Sequence, residues 1–269
     1  MKGDSVPGTR VLGGGGLGRS LAARVLVPAK HAFEYVLLCV GFGSLGLGCL
    51  AVSVLAYPLY LVLHGDTGAR FGRAIATYGF RVYVFWLHVC GIGRFDIKAL
   101  DKLRDAGPLI IVANHPGLLD APMILSRLPN VVCVLKASLV RTPFWGAGSR
   151  LARYIPNDWF LGSVSLAVEE LRRGSQLLLF PEGTRTAGAS LNEFRSGAAY
   201  VSYRSRVPIQ TVLIEQDSRF LGKNQGLMWR PDMPVRFRIR LGRRFDPPAD
   251  PRTFTQTLRE YFVAELPPR

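Results

Sequence analysis

PLIIVANHPGLLDAPMILSRL (residues 108–128) has the pattern of a strand that leads through a tight turn into a helix. Its first part, PLIIVAN (108–114), is a short continuous apolar run, and its last part has apolar residues at helical spacing. Further strand-like runs follow along the chain, namely VVCVLKA (131–137), QLLLF (176–180) and VPIQTVLI (207–214). A helical segment, SVSLAVEELRR (163–173), lies between two of them and is stopped by Gly174. Buried strands that alternate with helices predict an α/β domain, with a mainly parallel sheet flanked by helices, over residues 94–269.

The N-terminal part of the chain differs in character. Residues 1–34 contain many glycines and several cations, and they predict a flexible basic leader. Residues 35–63 form a run of 29 without one charged side chain, which is long enough to enter the hydrocarbon core of a membrane. Because cations flank the run on both sides and Gly41, Gly43, Gly46, Gly48 and Pro58 interrupt it, a re-entrant helical hairpin is favoured slightly over a full crossing.

The stretch 71–93 completes a membrane-embedded and interfacial region over residues 35–93, ahead of the α/β domain. It is apolar with several aromatic residues, and it predicts an interfacial helix with Tyr83, Phe85 and Trp86 at headgroup depth. A core helix of the soluble domain is the alternative.

The formal net charge of +15 predicts an acidic partner. Lys and Arg are spread along the whole chain without a concentrated run, so nucleic acid is not expected, and membrane lipid or a phosphorylated small molecule is. The four cysteines have no metal-binding or C-x-x-C spacing, which favours a reduced, cytoplasm-facing protein. We therefore expect an inner-membrane protein whose α/β domain faces the cytoplasm, without a metal ion or other cofactor.

A candidate catalytic pair follows the strand at 108–114. His115 comes where the strand ends, and Asp120 lies five residues later in the first turn of the next helix. A carboxylate at this distance can bind one imidazole nitrogen and leave the other to accept a proton from a hydroxyl group. A structural histidine beside a helix-capping aspartate is the alternative interpretation of the spacing alone.

A second polar group follows the strand QLLLF, and we expect it at the same edge of the sheet. It consists of Glu182, Gly183, Thr184 and Arg185, where glycine permits close approach of a ligand and arginine suits a phosphate. Arg195, just before a predicted helix, and Lys136, at the end of another strand, are further candidate anion contacts.

Four blocks in this order resemble the glycerolipid acyltransferases related to bacterial 1-acylglycerol-3-phosphate acyltransferase. The blocks are NHPGLLD (114–120), RYIPND (153–158), FPEGTRT (180–186) and VPI (207–209). The resemblance implies His115 as the base, Asp120 as its partner, and Glu182, Gly183 and Arg185 as contacts of the acceptor's phosphate and glycerol. It also implies substrate contacts for the second block and an acyl or acceptor pocket at the fourth. The second block departs from the family pattern because Trp159 follows Asp158 where an arginine is common.

The expected reaction is transfer of a fatty acyl group from acyl-CoA or acyl carrier protein to a lysophospholipid, with 1-acylglycerol-3-phosphate giving phosphatidate as the first choice. The same chemistry on an ornithine lipid, a glycolipid or an aryl-polyene lipid is the alternative. A serine lipase or esterase is not favoured, because the chain has no G-x-S-x-G. A non-enzymatic protein that binds anionic membranes would leave the motifs at the strand ends unexplained.

Overall fold

A computed structural model describes residues 15–63, 65–187, 190–226 and 229–266, with side chains described from residue 27 onwards. The helices are α1 Gly15–Val62, α2 Gly65–Val89, α3 Asp120–Leu125, α4 Ala137–Val140, α5 Gly146–Leu151, α6 Phe160–Arg172, α7 Gly197–Ser205 and α8 Pro251–Glu265. The strands are β1 Gly93–Asp96, β2 Leu109–Ala113, β3 Val131–Leu135, β4 Ile155–Pro156, β5 Gln176–Leu179, β6 Ile209–Gln216 and β7 Val235–Phe245. A 3-10 helix, Lys98–Leu103, connects β1 to β2.

The strands form one sheet in the order β1-β7-β6-β2-β5-β3-β4. All neighbours pair in parallel except β6 and β7, which are antiparallel. The central strand β2 is buried along its whole length, as its continuous apolar run predicts. The predicted class, a mainly parallel sheet flanked by helices, is confirmed.

Hydrophobic cores lie on both faces of the sheet. On one face, Leu38 of α1, Leu87 of α2 and Met123 of α3 pack against the strands. On the other face, α6 and α8 contribute residues such as Leu171 and Phe262. The membrane-type helices are thus part of the packed structure of the α/β domain.

The N-terminal region differs from the hairpin that the sequence favoured. α1 is a single helix of 48 residues with Pro28 and Pro58 inside it, about 72 Å long at about 1.5 Å per residue. Its segment Val27–Val62 is the one described helix that is long and apolar enough to cross a membrane. The preference for a chain reversal inside 35–63 is therefore wrong, since the chain turns back after Leu63 and α2 packs against α1.

The predicted flexible leader over residues 1–34 falls partly outside the described residues. From Gly15 onwards these residues form the first part of α1. Apolar residues such as Val25 and Val27 extend the helical pattern ahead of residue 35.

Two of the aromatic residues predicted at headgroup depth are exposed on α2, and the third is not. Phe85 and Trp86 are exposed, whereas Tyr83 is buried with Phe80 and Leu87 against the α/β domain. The helix is amphipathic, so one face packs as a core helix would and the other carries exposed aromatics. The core-helix interpretation thus describes one face of α2, and the interfacial position of the other face stays a prediction.

Candidate active site

The carboxyl edge of the sheet brings the first and third sequence blocks together. His115 lies just beyond β2, and Glu182 lies just beyond β5, the parallel neighbour of β2. The backbone amide of Thr186 donates to the carbonyl oxygen of His115 at 2.7 Å, so the two loops are joined directly. This juxtaposition follows from the parallel pairing, because neighbouring parallel strands end at the same edge.

His115 and Asp120 form the predicted pair. Nδ1 of His115 lies 2.7 Å from Oδ2 of Asp120, and the same carboxylate oxygen accepts the backbone amide of Gly117 at 2.8 Å. The aspartate side chain is fully buried, whereas 19% of the histidine side chain is exposed. A buried carboxylate that accepts the Nδ1 proton fixes the tautomer, and Nε2 is left to accept a proton. The pair thus has the arrangement of a general base with its orienting group.

The ring of Phe180 stacks on the imidazole of His115. The two ring centroids are 4.1 Å apart, and the planes are inclined by 20°. Sequence reasoning treated Phe180 only as the end of a buried strand. Its position in the sequence could have indicated this contact, because Phe180 directly precedes Pro181-Glu182 at the strand end that leads into the polar loop.

Glu182 has a different environment from the one expected of an acceptor contact. It is only 3% exposed, and its oxygens accept from the backbone amides of His115 at 2.9 Å and Asn192 at 3.1 Å. The hydroxyl of Thr186 lies 2.9 Å from both carboxylate oxygens. Glu182 therefore fastens the loop 180–192 to the residue that carries the imidazole, and it lies beneath the surface that a substrate would meet.

The cations of the loop lie nearer to solvent. Arg195 is exposed, and its guanidinium covers Gly183 so closely that a Cβ at residue 183 would lie 2.7 Å from Nε. Gly183 also has φ of +66°, a conformation that favours glycine. Arg185 is half-buried and donates from Nη1 to the carbonyl oxygen of Leu221 at 2.8 Å. Thr184 is exposed on the same loop.

Lys136 lies further along the same edge. It is the exposed residue just before α4, where β3 ends, and β3 is separated from β2 by β5. Its position is compatible with a contact to a ligand that extends from His115 along the edge.

The second block reaches this edge only with its last residues. Asn157 accepts the backbone amide of Ala137 at 3.2 Å, and Asp158 lies 3.8 Å from Arg141. Arg153, in contrast, contacts Asp66 and Glu170 at the opposite edge, where the strands begin. The block crosses the sheet as β4, so its two ends cannot meet the same ligand.

The fourth block lies away from His115. Ile209 begins β6, pairs with Ile110 near the start of β2 and is completely buried. Because β6 runs parallel to β2, residues 207–209 lie at the edge opposite the catalytic pair. The acyl or acceptor pocket that the resemblance implies at this block stays a prediction.

Asn114 belongs to the first sequence block, and the sequence alone predicts no role for it. Its side-chain amide donates to the carbonyl oxygen of Ile214 and accepts the amide of the same residue, both at 2.8 Å. These bonds replace a missing rung between β2 and β6 and fix the backbone immediately before His115.

A cavity of about 540 Å³ lies between α1, α2 and α5. Its lining is apolar and includes Gly48, Val52, Phe80 and Trp145. His115 and Asp120 are not among the lining residues, so the cavity is a feature separate from the catalytic pair.

Cys133 is a buried residue of β3. Burial raises the pKa of the Cys133 thiol to about 12, so the thiolate is scarce at neutral pH.

Comparison with known proteins agrees with this geometry. Residues 94–215 match the family model described as Acyltransferase. The human 1-acyl-sn-glycerol-3-phosphate acyltransferase beta is 28% identical over 73% of this chain and 70% of its own length. A lyso-ornithine lipid O-acyltransferase from Pseudomonas aeruginosa is 32% identical over 50% of this chain and 53% of its own length.

The chain thus matches between 53% and 70% of the length of these two relatives. The crystal structure of the 1-acyl-sn-glycerophosphate (LPA) acyltransferase PlsC from Thermotoga maritima shares the fold. It has a TM-score of 0.66 and 15% sequence identity, with coverage of 89% of this chain and 100% of that one. The chain is thus similar over residues 94–215 to the Acyltransferase family, and it shares the fold of a solved acyltransferase structure.

Proposed function

We propose that this protein is an O-acyltransferase that moves a fatty acyl group from acyl-CoA or acyl carrier protein to the hydroxyl of a lysophospholipid. The observation that carries the proposal is the bond of 2.7 Å between Nδ1 of His115 and the fully buried carboxylate of Asp120. A histidine oriented in this way, and exposed on its other side, has the form of a general base for a hydroxyl nucleophile.

In the proposed reaction, Nε2 of His115 takes the proton of the acceptor hydroxyl as its oxygen attacks the thioester carbonyl. The carbon–sulfur bond breaks, an oxygen ester forms, and the leaving thiolate receives the proton from the imidazolium. Asp120 stabilises the positive charge that His115 carries between these two transfers. No covalent acyl-enzyme is required.

The oxyanion of the tetrahedral intermediate needs donors at the turn after His115. Pro116 has no amide hydrogen, and the amide of Gly117 already donates to Asp120. Of the three residues in the turn, Leu118 is left to offer a backbone amide. Its exposed side chain is compatible with a ligand at this point.

The acceptor is proposed to be 1-acylglycerol-3-phosphate, with phosphatidate as the product. Arg195, Arg185 and Lys136 are the cations available at this edge, and guanidinium groups bind phosphate oxygens well. A lyso-ornithine lipid is the second candidate, because the Pseudomonas aeruginosa relative is named for that acceptor and Trp159 stands where the family commonly has a cation.

The proposed location is a membrane, with the acyl chains of the lipid substrates entering from the side of α1 and α2. The apolar lining of the cavity between these helices suits a hydrocarbon chain. An inner-membrane position with the catalytic domain in the cytoplasm is proposed because the spacing of the four cysteines favours a reduced, cytoplasm-facing protein.

The test uses the full chain in membranes, with labelled acyl-CoA or acyl carrier protein and two acceptors in parallel, lysophosphatidate and lyso-ornithine lipid. We expect His115→Ala to lower kcat by about 10²–10⁴ with whichever acceptor the native protein uses, because the general base is lost. His88→Ala, at an exposed position of α2, is the matched control and retains native activity. Native kcat in the His115→Ala protein would refute the assignment of the base.

A further inference from the structure

The catalytic domain has a cluster of exposed apolar side chains outside the N-terminal helices. The cluster, called here the edge cluster, consists of Leu139, Phe144, Trp159, Phe160 and Leu161, which are between 40% and 67% exposed. Isolated exposed apolar residues are ordinary on protein surfaces, but neighbouring large ones mark a contact surface.

Two short segments of the chain form the edge cluster, and they lie side by side. The amide of Ala137 donates to Asn157 at 3.2 Å, and Arg141 lies 3.8 Å from Asp158. These contacts hold α4 and the residues after it against the start of α6. The indole of Trp159 packs over Gly162, which leaves room for it by having no side chain. The aromatic rings are thus held outward by the fold.

The edge cluster borders the catalytic edge. Its segments follow β3 and β4, and both strands are parallel to the strand that ends at His115. Any surface that covers the edge cluster therefore also approaches the opening of the candidate active site.

The edge cluster continues the exposed surface of the membrane-type helix. The hydroxyl of Ser53 in α1 donates to the carbonyl oxygen of Phe144 at 2.8 Å. Next to Ser53, the side chains of Val54, Leu55 and Tyr57 are between 59% and 67% exposed. Phe144, and with it the edge cluster, thus lies against a part of α1 that carries exposed apolar side chains.

The charges around the edge cluster suit an anionic lipid surface. Lys136 and Arg141 are exposed beside it, and the neighbouring acid Asp158 is paired with Arg141. Aromatic and aliphatic side chains rimmed by cations are typical of segments that enter the headgroup region of a bilayer.

We infer that the edge cluster is a lipid-contact surface, by which the catalytic domain rests on the anionic interface of the membrane that α1 enters. It is a second anchoring point, separate from α1 and α2, and it sets the opening of the catalytic edge against the lipid. The contact itself does not depend on the proposed reaction, whereas its use, delivery of a lipid acceptor to His115, rests on the proposed function.

The contact is tested by tryptophan quenching in the full chain, reconstituted into vesicles of anionic phosphatidylglycerol and phosphatidylcholine with brominated acyl chains. In a Trp159→Phe background, one variant carries Leu161→Trp and the matched control carries Val263→Trp, at an exposed position of α8. We expect brominated lipid to reduce the added emission at residue 161 about twofold or more and to leave that at residue 263 unchanged, because bromine quenches only rings that lie in the bilayer.

Equal quenching at residues 161 and 263 would overturn the inference, and would leave a protein partner as the occupant of the edge cluster. The result does not depend on acyl transfer, so a failure here is distinct from a failure of the proposed function.

The use of the surface is tested by the double substitution Leu139→Asp/Leu161→Asp, with Val263→Asp as the control. With a long-chain acceptor in vesicles, we expect activity to fall about tenfold, because two apolar contacts with the interface are replaced by charges that anionic lipid repels. With a short-chain acceptor dissolved as monomer, activity stays at the native value. Loss of activity with both acceptors, or with neither, contradicts the inferred use.

Discussion

Replacing Glu182 by glutamine separates two roles that the residue can have. The family resemblance implies that Glu182 contacts the acceptor, whereas the structure surrounds it with donors from its own chain. His115 and Asn192 donate their amides to different oxygens of the carboxylate, and the Thr186 hydroxyl lies between them. The substitution keeps the shape of the side chain and turns one acceptor into a donor.

The magnitude follows from these contacts. In either orientation, the new NH₂ group faces one of the two backbone amides, so that amide loses its acceptor, whereas the NH₂ group can donate to the hydroxyl oxygen of Thr186. A buried donor without an acceptor costs about 1–3 kcal/mol, so we expect a loss of about 2 kcal/mol. For a chain of this size, that corresponds to a fall in the thermal midpoint of roughly 4–8 °C.

Thermal unfolding in detergent and steady-state kinetics on the same preparation are the assay. Because Glu182 anchors the backbone of the base, we expect kcat to fall while the acceptor KM changes little. The control is Glu193→Gln, a nearby side chain that is 84% exposed and paired with Arg259, and it is expected to leave both quantities unchanged. An unchanged midpoint together with a raised acceptor KM would refute the positioning role and favour direct contact with the acceptor.

Three further substitutions probe the fold and the site. Arg73→Met removes the nearer of the two cations that pair with the buried Glu170 and is expected to cost about 3 kcal/mol in unfolding assays, and Arg73→Met/Glu170→Leu should recover most of it. Asn114→Ala removes both bonds to Ile214 and is expected to cost about 2–4 kcal/mol, while an unchanged midpoint would contradict the bridging role. Gly183→Ala forces an alanine into a left-handed backbone conformation, which costs about 1–2 kcal/mol, and its Cβ displaces the guanidinium of Arg195. We expect the acceptor KM to rise. An unaltered KM would show that Arg195 does not bind the acceptor.

The α/β domain could be predicted from the sequence because its strands are buried on both faces. Short continuous apolar runs that alternate with helical segments, such as LIIVA and QLLL, fit few structures other than buried strands. Both are strands in the structure. The edge at which His115 and Glu182 meet follows from the same pattern, since parallel strands end together. The direction of Glu182 could not be inferred in this way, because a carboxylate at a strand end can face either the ligand or the loop.

The N-terminal helices were harder to predict from the sequence, because the glycines and the proline that interrupt the apolar run do not interrupt the helix. A Cβ at Gly43, Gly46 or Gly48 would meet nothing within 4 Å, so these glycines neither mark a bend nor permit a close approach. Pro58 lies inside α1 without ending it. The side chain of Tyr83 was assigned to the interface by residue type alone, and its direction depends on the rotation of α2 against the α/β domain, which the sequence of the helix does not contain.

The contacts of His115 indicate that its position depends on two loops together. Asp120 fixes the imidazole, but the backbone beneath it is held from the other loop, through its amide to Glu182 and its carbonyl to Thr186. A disturbance at Glu182 or Thr186 is therefore expected to reach the backbone of the candidate base without any contact with substrate. Activity lost on substitution of this loop does not by itself identify a ligand contact, and only a change in acceptor KM at an unchanged thermal midpoint does so.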